Sequence, residues 1–266
     1  MRLLMTGAAD RQSPVLRACG IAKRFGLVHA LRDVDLDVHA GAVTALLGDN
    51  GAGKSTLLKI IAGAYQPDEG EIWFGSRRVD IASPGDATAL GIETVYQDLA
   101  LCDNLDVVKN LFLGRERRVP DIRGLRRFLA SERMREESAE ALALLGVRLP
   151  SLSTRVGALS GGQRQAVAVA RAVMWGSRLV MLDEPTASLG VEQSANVHKL
   201  IRRMREQGVG IVLVTHNLAD AFALADQLVV LRQGRRVATL DPRRTTPDEV
   251  VGVIMGSASA VGGTAP

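Results

Sequence analysis

The segment Gly48-Asp49-Asn50-Gly51-Ala52-Gly53-Lys54-Ser55-Thr56 constrains this chain more than any other stretch, because it fits the pattern G-x-x-x-x-G-K-S/T in a telling context. Before it, Ala42 to Leu47 is a short apolar run suited to a buried strand; after it, Lys54 to Ala62 repeats apolar residues at helical spacing. Strand, glycine-rich loop and helix in that order imply a phosphate cradle. Gly48, Gly51 and Gly53 let successive N–H groups turn inward around phosphate oxygens. The helix that follows points its positive N-terminal end at the same anion. Lys54 can reach the β- and γ-phosphates, and the Ser55 hydroxyl is placed to ligate Mg²⁺. The loop therefore implies a nucleoside triphosphate.

With 266 residues, 47% of them apolar, the chain has ample material for a core, as one large domain or two small ones. No run approaches the roughly 18 to 20 apolar residues that cross a bilayer. The run Met1-Arg2-Leu3-Leu4-Met5 is too short for a signal peptide, so a cytoplasmic location is expected. Cys19 and Cys102 stand far apart without metal spacing or a disulfide framework and read as reduced structural thiols. The net charge of +4 would suit an anionic surface, but arginines and acids are interleaved rather than gathered in a basic stripe. Charge gives no indication of nucleic acid.

Residues 1–14 read as irregular. Val15 to Cys19 and Val28 to Val38 alternate like half-buried strands and are expected to form an antiparallel flank. Gly70 to Gly75 reads as a strand, Pro84 to Leu90 as a helix opened by proline, and Ile92 to Tyr96 as a strand again. From about residue 98 to 175 helical spacing dominates, notably Ser131 to Leu145, which suggests an inserted helical subdomain. Within it the arginine-rich piece Gly114 to Arg127 carries Pro120 and Gly124 and reads as a solvated loop. Strand and helix then alternate: Arg178 to Leu182, Val191 to Gln207, Gly210 to Thr215, Leu218 to Ala225, and the strand pair Gln227 to Leu231 and Arg236 to Leu240. This is the order of an α/β core with a mostly parallel sheet. Thr246, Pro247 and Glu249 supply the cap, first-turn proline and capping-box acid of a last short helix, and 257–266 reads as a disordered tail.

A triphosphate site needs a carboxylate for its metal, and Leu179-Val180-Met181-Leu182-Asp183-Glu184 offers one at the C-terminal end of an apolar strand. Asp183 is the metal-side candidate. Glu184, the next residue, points differently and could orient or deprotonate a water, which makes hydrolysis the expected outcome. Leu159-Ser160-Gly161-Gly162-Gln163 collects a hydroxyl and glycine N–H groups before the helix Arg164 to Met174, a second anion-binding helix end or a plain N-cap turn.

Together these segments resemble the nucleotide-binding subunit of an ATP-binding cassette (ABC) transporter, over roughly residues 15–256. Leu159 to Gln163 is similar to the cassette signature, Gln97 after Val95-Tyr96 to the glutamine joining core and helical subdomain, and His216 after Val214-Thr215 to the switch histidine. The segments Gly48 to Gly51, Gly91 to Gln97, Asn110 to Glu116 and Glu184 to Gly190 resemble the single-cassette subunits of fructose- and ribose-type sugar importers. The resemblance implies a P-loop NTPase core with a helical insertion. It implies that Phe25 stacks on adenine and that Gly48, Asn50, Gly51, Ala52, Gly53, Lys54, Ser55 and Thr56 hold ATP. Ser55, Gln97 and Asp183 would approach Mg²⁺, Glu184 and Gln97 would serve the water, and His216 would bond the γ-phosphate. Ser160, Gly162 and Gln163 would serve the nucleotide of a second copy.

The implied assembly is a homodimer closing around two ATP, driving a separate membrane permease fed by an extracytoplasmic solute-binding protein. It would sit at the cytoplasmic face of the inner membrane as a peripheral subunit. One position departs from the pattern: where such cassettes continue Ser-Ala-Leu-Asp, this chain has Ala187-Ser188-Leu189-Gly190, and Gly190 lacks the carboxylate that helps couple the two sites. The alternative reading is an ABC-type ATPase acting on nucleic acid or ribosomes, against which stand the single cassette and the absence of long coiled coil. A P-loop kinase or GTPase is disfavoured by the signature segment and the lack of an Asn-Lys-x-Asp guanine reader.

Overall fold

The computed structural model describes residues 13–120, 127–187 and 189–257. Most of the irregular N-terminus (1–12), the middle of the arginine-rich piece (121–126), Ser188 and the tail from 258 lie outside the described residues. In chain order, strands β1 (Leu16–Phe25), β2 (Val28–Val38) and β3 (Val43–Leu47) lead to helix α1 (Lys54–Ile61), β4 (Glu69–Phe74), β5 (Arg77–Val79), α2 (Pro84–Leu90) and β6 (Ile92–Val95). A mainly helical stretch follows, with α3 (Val107–Phe112), the strands β7 (Arg118–Pro120) and β8 (Arg127–Leu129), α4 (Ser131–Leu144) and α5 (Gly161–Val173). Then come β9 (Leu179–Asp183), α6 (Val191–Glu206), β10 (Gly210–Val214), α7 (Leu218–Leu224), β11 (Gln227–Arg232), β12 (Arg235–Leu240) and α8 (Pro247–Met255).

The central sheet runs β12-β11-β3-β10-β9-β6, parallel except for β12. Its inner strands are apolar throughout because both faces are covered. Leu179 and Met181 of β9 pack into one core, Val180 and Leu182 into another on the opposite face. The first core is completed by Leu57, Leu58, Ile60 and Ile61 of α1 and by Ile21, Val34 and Leu36 of an antiparallel sheet ordered β2-β1-β4-β5. Helix α1 is thus clamped between two sheets. The second core is closed by α3 to α6, through Leu111, Phe112, Val167 and Leu200 among others. Among the described residues no helix is long and apolar enough to cross a membrane.

The structure departs from the sequence reading at a few elements. Strand β1 runs to Phe25 rather than stopping at Cys19, because Gly20 adopts a left-handed conformation at a register shift and the strand continues beyond it. The arginine-rich piece, expected to be a solvated loop, contributes β7 and β8 at its described ends. Two of its arginines are engaged: Arg115 and Arg117 stand 5.1 and 5.3 Å over the Trp175 ring and pair with Glu93 and Glu137.

Candidate functional site

The phosphate loop leaves β3 at Gly48 and is held from behind by the turn joining β11 to β12. A Cβ on Gly48 (φ +145°) would fall 2.2 Å from the Leu231 carbonyl oxygen. Only glycine fits there. The Gly234 N–H donates to the Ala52 carbonyl at 3.1 Å, fastening the loop's middle to the same turn. Lys54, buried, donates from Nζ to the carbonyl oxygens of Gly48 (2.6 Å) and Asp49 (3.0 Å). Burial pushes its pKa down, against the opposing pull of Glu184, Asp49 and Asp183. The ammonium is therefore poised inside the loop with carbonyls as its partners. Helix α1 has no acidic residue in its first turn and no side-chain cap, so its N-terminal N–H groups are left to an outside anion by the residues at that end.

Strand order brings the other groups to this loop. In parallel strands the C-terminal ends lie along one edge, and β3, β10, β9 and β6 are consecutive neighbours. Gly48, His216, Asp183 with Glu184, and Gln97 follow those four ends, so segments far apart in sequence meet. They line one cavity of about 760 Å³, together with Ser55, Thr56 and Thr215. Glu184 is a non-glycine residue at φ +51°, in the left-handed region. Its N–H donates to the Val214 carbonyl at 2.9 Å, so the turn begins at once after β9. Strained backbone of this kind persists only where the surroundings dictate it. The carboxylate receives His216 Nδ1–H at Oε1, 2.8 Å away, with Glu184 largely buried and the imidazole exposed.

Asp183 sits deeper. Burial pushes its carboxyl up, and the charge of Glu184 pushes the same way, against Lys54 and Lys59. A partly buried carboxylate held against its preference has reason to take a cation. Among the described residues no cluster of three or more His, Cys, Asp and Glu could enclose a metal. The donor set that shares the cavity is instead Ser55, Gln97 and Asp183, all oxygen donors. That fits Mg²⁺, which takes one or two carboxylates and completes its shell with water and substrate phosphates.

Other expected residues lie apart from this cavity. Phe25 is 44% exposed, its ring edge-on to Tyr65 at 5.3 Å, and the cavity wall from β2 is made by Val28, His29 and Ala30. Ser160, Gly162 and Gln163 are outside its lining as well. They form the start of α5, where the Ser160 hydroxyl accepts from the Gln163 N–H (3.3 Å) and the Gln163 side chain accepts from the Ser160 N–H (3.0 Å). Gly162 packs so closely on α6 that a Cβ would meet Gln193 Cβ at 3.0 Å.

Two further residues that the sequence did not single out stand behind the site. Arg171 near the end of α5 donates to the carbonyls of Leu99 and Ala100, just past Gln97. Asn110 of α3, fully buried, bonds the Cys102 N–H and the carbonyls of Cys102, Leu105 and Asp106. Their partners are backbone groups, which leave no mark in sequence.

Residues 31–187 match a family model described as ABC transporter. The chain is 44% identical over 248 residues to the fructose import ATP-binding protein of Rhizobium meliloti, covering 92% of this chain and 95% of that protein. It is 43% identical over 242 residues to the xylose/arabinose import ATP-binding protein of Sulfolobus acidocaldarius, covering 91% and 94%. A ribose import ATP-binding protein of Rubrobacter xylanophilus is 42% identical over 243 residues, 91% of this chain but 46% of that longer protein. Among solved structures, a nucleotide-free ATP-binding cassette from an ABC transporter superposes with a TM-score of 0.77 at 25% identity, covering 91% and 95%. A dimeric bacterial ABC transporter cassette gives 0.72 at 25% identity, covering 86% and 100%.

Proposed function

The chain belongs to the ABC transporter family, and from that premise we propose that it is the ATP-hydrolysing subunit of a monosaccharide importer. One observation carries the reading: four strand ends deliver the phosphate loop, Gln97, the Asp183-Glu184 pair and His216 to one cavity. The relatives are named as import subunits for fructose, xylose/arabinose and ribose, which favours transport over a role on nucleic acid or ribosomes. They are also named as ATP-binding proteins, so passage through the membrane is assigned to separate permease subunits. This chain then works peripherally at the cytoplasmic face of the inner membrane, with an extracytoplasmic solute-binding protein supplying the sugar.

The chemistry follows from the residues. Lys54 exchanges its bonds to the carbonyls of Gly48 and Asp49 for bonds to the β- and γ-phosphates, within the N–H groups of residues 48–56. Phe25 stacks on the adenine. Ser55, Gln97 and Asp183 would hold Mg²⁺, which would neutralise phosphate charge when bound. Glu184 accepts a proton from a water whose oxygen attacks the γ-phosphorus, and the β–γ bridging bond breaks with its electrons leaving on ADP. His216 already gives Nδ1–H to Glu184; to donate Nε2–H to a γ-phosphate oxygen as well, the ring must carry both protons. Ser160, Gly162 and Gln163 meet the nucleotide of the second subunit, giving a homodimer with two ATP between its halves. ATP drives closure only through its greater affinity for the closed dimer, and hydrolysis ends that advantage.

Glu184→Gln tests the reading. It should retain ATP binding and accumulate as a dimer in size-exclusion chromatography, while turnover falls about 10²-fold or more, the scale of a positioned general base. Unchanged turnover would remove Glu184 from the role.

A further inference from the structure

Asp220, on α7, is a carboxylate only 8% exposed. It accepts from the Thr186 hydroxyl at Oδ2 and from His198 Nε2–H at Oδ1, the latter at 2.7 Å. Among the described residues no lysine or arginine pairs with it. Burying a carboxylate is costly, and a well-packed apolar residue would serve stability better, so the group is best explained by what it holds in place. Its partners come from different elements. Thr186 lies two residues past Glu184, His198 is on α6, and Asp220 itself lies four residues past His216.

Two short turns carry the pair that faces the cavity. After β9 the chain turns at Glu184, with the Ala187 N–H closing on the Glu184 carbonyl at 3.1 Å. After β10 it turns at His216, and Asn217 caps α7 by accepting from the Ala219 N–H. The Glu184–His216 bond joins these turns at the exposed side, and the Thr186–Asp220 bond joins them again at the buried side. Two bonds between two turns fix their relative position where one would leave a hinge. His198 adds α6, whose first turn abuts Gly162 at the start of α5.

We propose that Asp220 is a positioning residue: through Thr186 and His198 it clamps the turns after β9 and β10, and so keeps Glu184 and His216 in hydrogen-bond register. Its effect on turnover rests on the reading of Glu184 and His216 as the groups that serve hydrolysis. Asp220 does not line the cavity; it acts through the backbone of the two turns.

The test uses the full chain labelled at its histidines, of which there are four, with His216 assigned by substitution. Asp220→Ala should shift the His216 imidazole nitrogen resonances and lower kcat by up to about 10²-fold, the scale of an ångström misplacement, with KM for ATP little changed. Thr186→Val, which removes one arm without emptying the site, should do the same in weaker form, and Thr186→Ser should restore both readouts. In a His216→Ala background, Asp220→Ala should cost less than it does in the parent, because one of the two groups it positions is gone. A fall in kcat with His216 unshifted, unchanged kcat and resonances, or a full additional loss in the His216→Ala background would each overturn the clamp. If Glu184→Gln leaves turnover intact, the assignment of the base fails, while the His216 resonances still decide whether Asp220 holds that side chain.

Discussion

Asp183 occupies its place at a cost, and the cost is measurable. Its folded-state pKa is raised by burial first and by Glu184 second, so the folded chain holds the proton more firmly than the unfolded chain does. Asp183 therefore favours folding fully below the ordinary carboxylate range, loses that contribution as pH rises through the raised value, and at neutral pH is a net burden. Lys54 is displaced downward by the same burial, so neither charge fully relieves the other. Asp183→Asn removes the burden along with the ligand. Without nucleotide its thermal midpoint at neutral pH should rise. The extra stabilisation that Mg²⁺ adds to ATP in the parent should disappear. Scanning calorimetry with ATP, with and without Mg²⁺, reads both effects; a lower midpoint for the nucleotide-free variant would show that the carboxylate is held without strain.

Helix ends were legible in the sequence and are where one substitution can be argued most closely. Thr246, Pro247 and Glu249 build the expected start of α8, and Ser160 with Gln163 opens α5 at Gly161, ahead of the expected Arg164, because capping is a local exchange of side-chain and backbone bonds. Helix α6 begins at Gly190 instead, which offers no side-chain acceptor. Its φ of −71° suits any residue, and a Cβ there would meet no heavy atom within 4 Å. Gly190→Asp should therefore fit, cap α6, and raise stability by about 0.5 kcal/mol from cap and helix-dipole terms. A denaturant midpoint shifted upward with unchanged slope checks this; a downward shift would mean that the turn before α6 rejects a side chain. What the sequence did not disclose depended on distance or on backbone partners. Strand β1 looked finished at Cys19 because Gly20 interrupts the alternation, and the ends of the Gly114 to Arg127 piece looked like loop because Trp175, which engages Arg115 and Arg117, comes much later. The phosphate loop, Asp183 and Glu184 were legible since their chemistry fixes residue type and spacing, whereas Thr186 and Asp220 are separated by 34 residues and joined only by the fold.

At the scale of the whole molecule, the groups outside the cavity matter as much as those within it. Ser160, Gly162 and Gln163 do not line the cavity that holds Lys54, so in the proposed dimer each ATP lies between the phosphate loop of one chain and the α5 start of the other. An isologous pair of this kind makes two equivalent composite sites. Chain mixing separates that arrangement from a self-sufficient cavity. Lys54→Ala and Ser160→Arg should each abolish turnover as homodimers, the first by emptying the loop, the second by filling the space opposite the partner's nucleotide. In a heterodimer of the two, both lesions fall in one composite site and the other site is made wholly from intact halves. An equimolar mixture should then recover about a quarter of parental ATPase, half the dimers being mixed and each having one working site of two. Recovery to that level also requires one site to turn over without the other. A mixture no more active than its components would overturn the pair of independently working, shared sites.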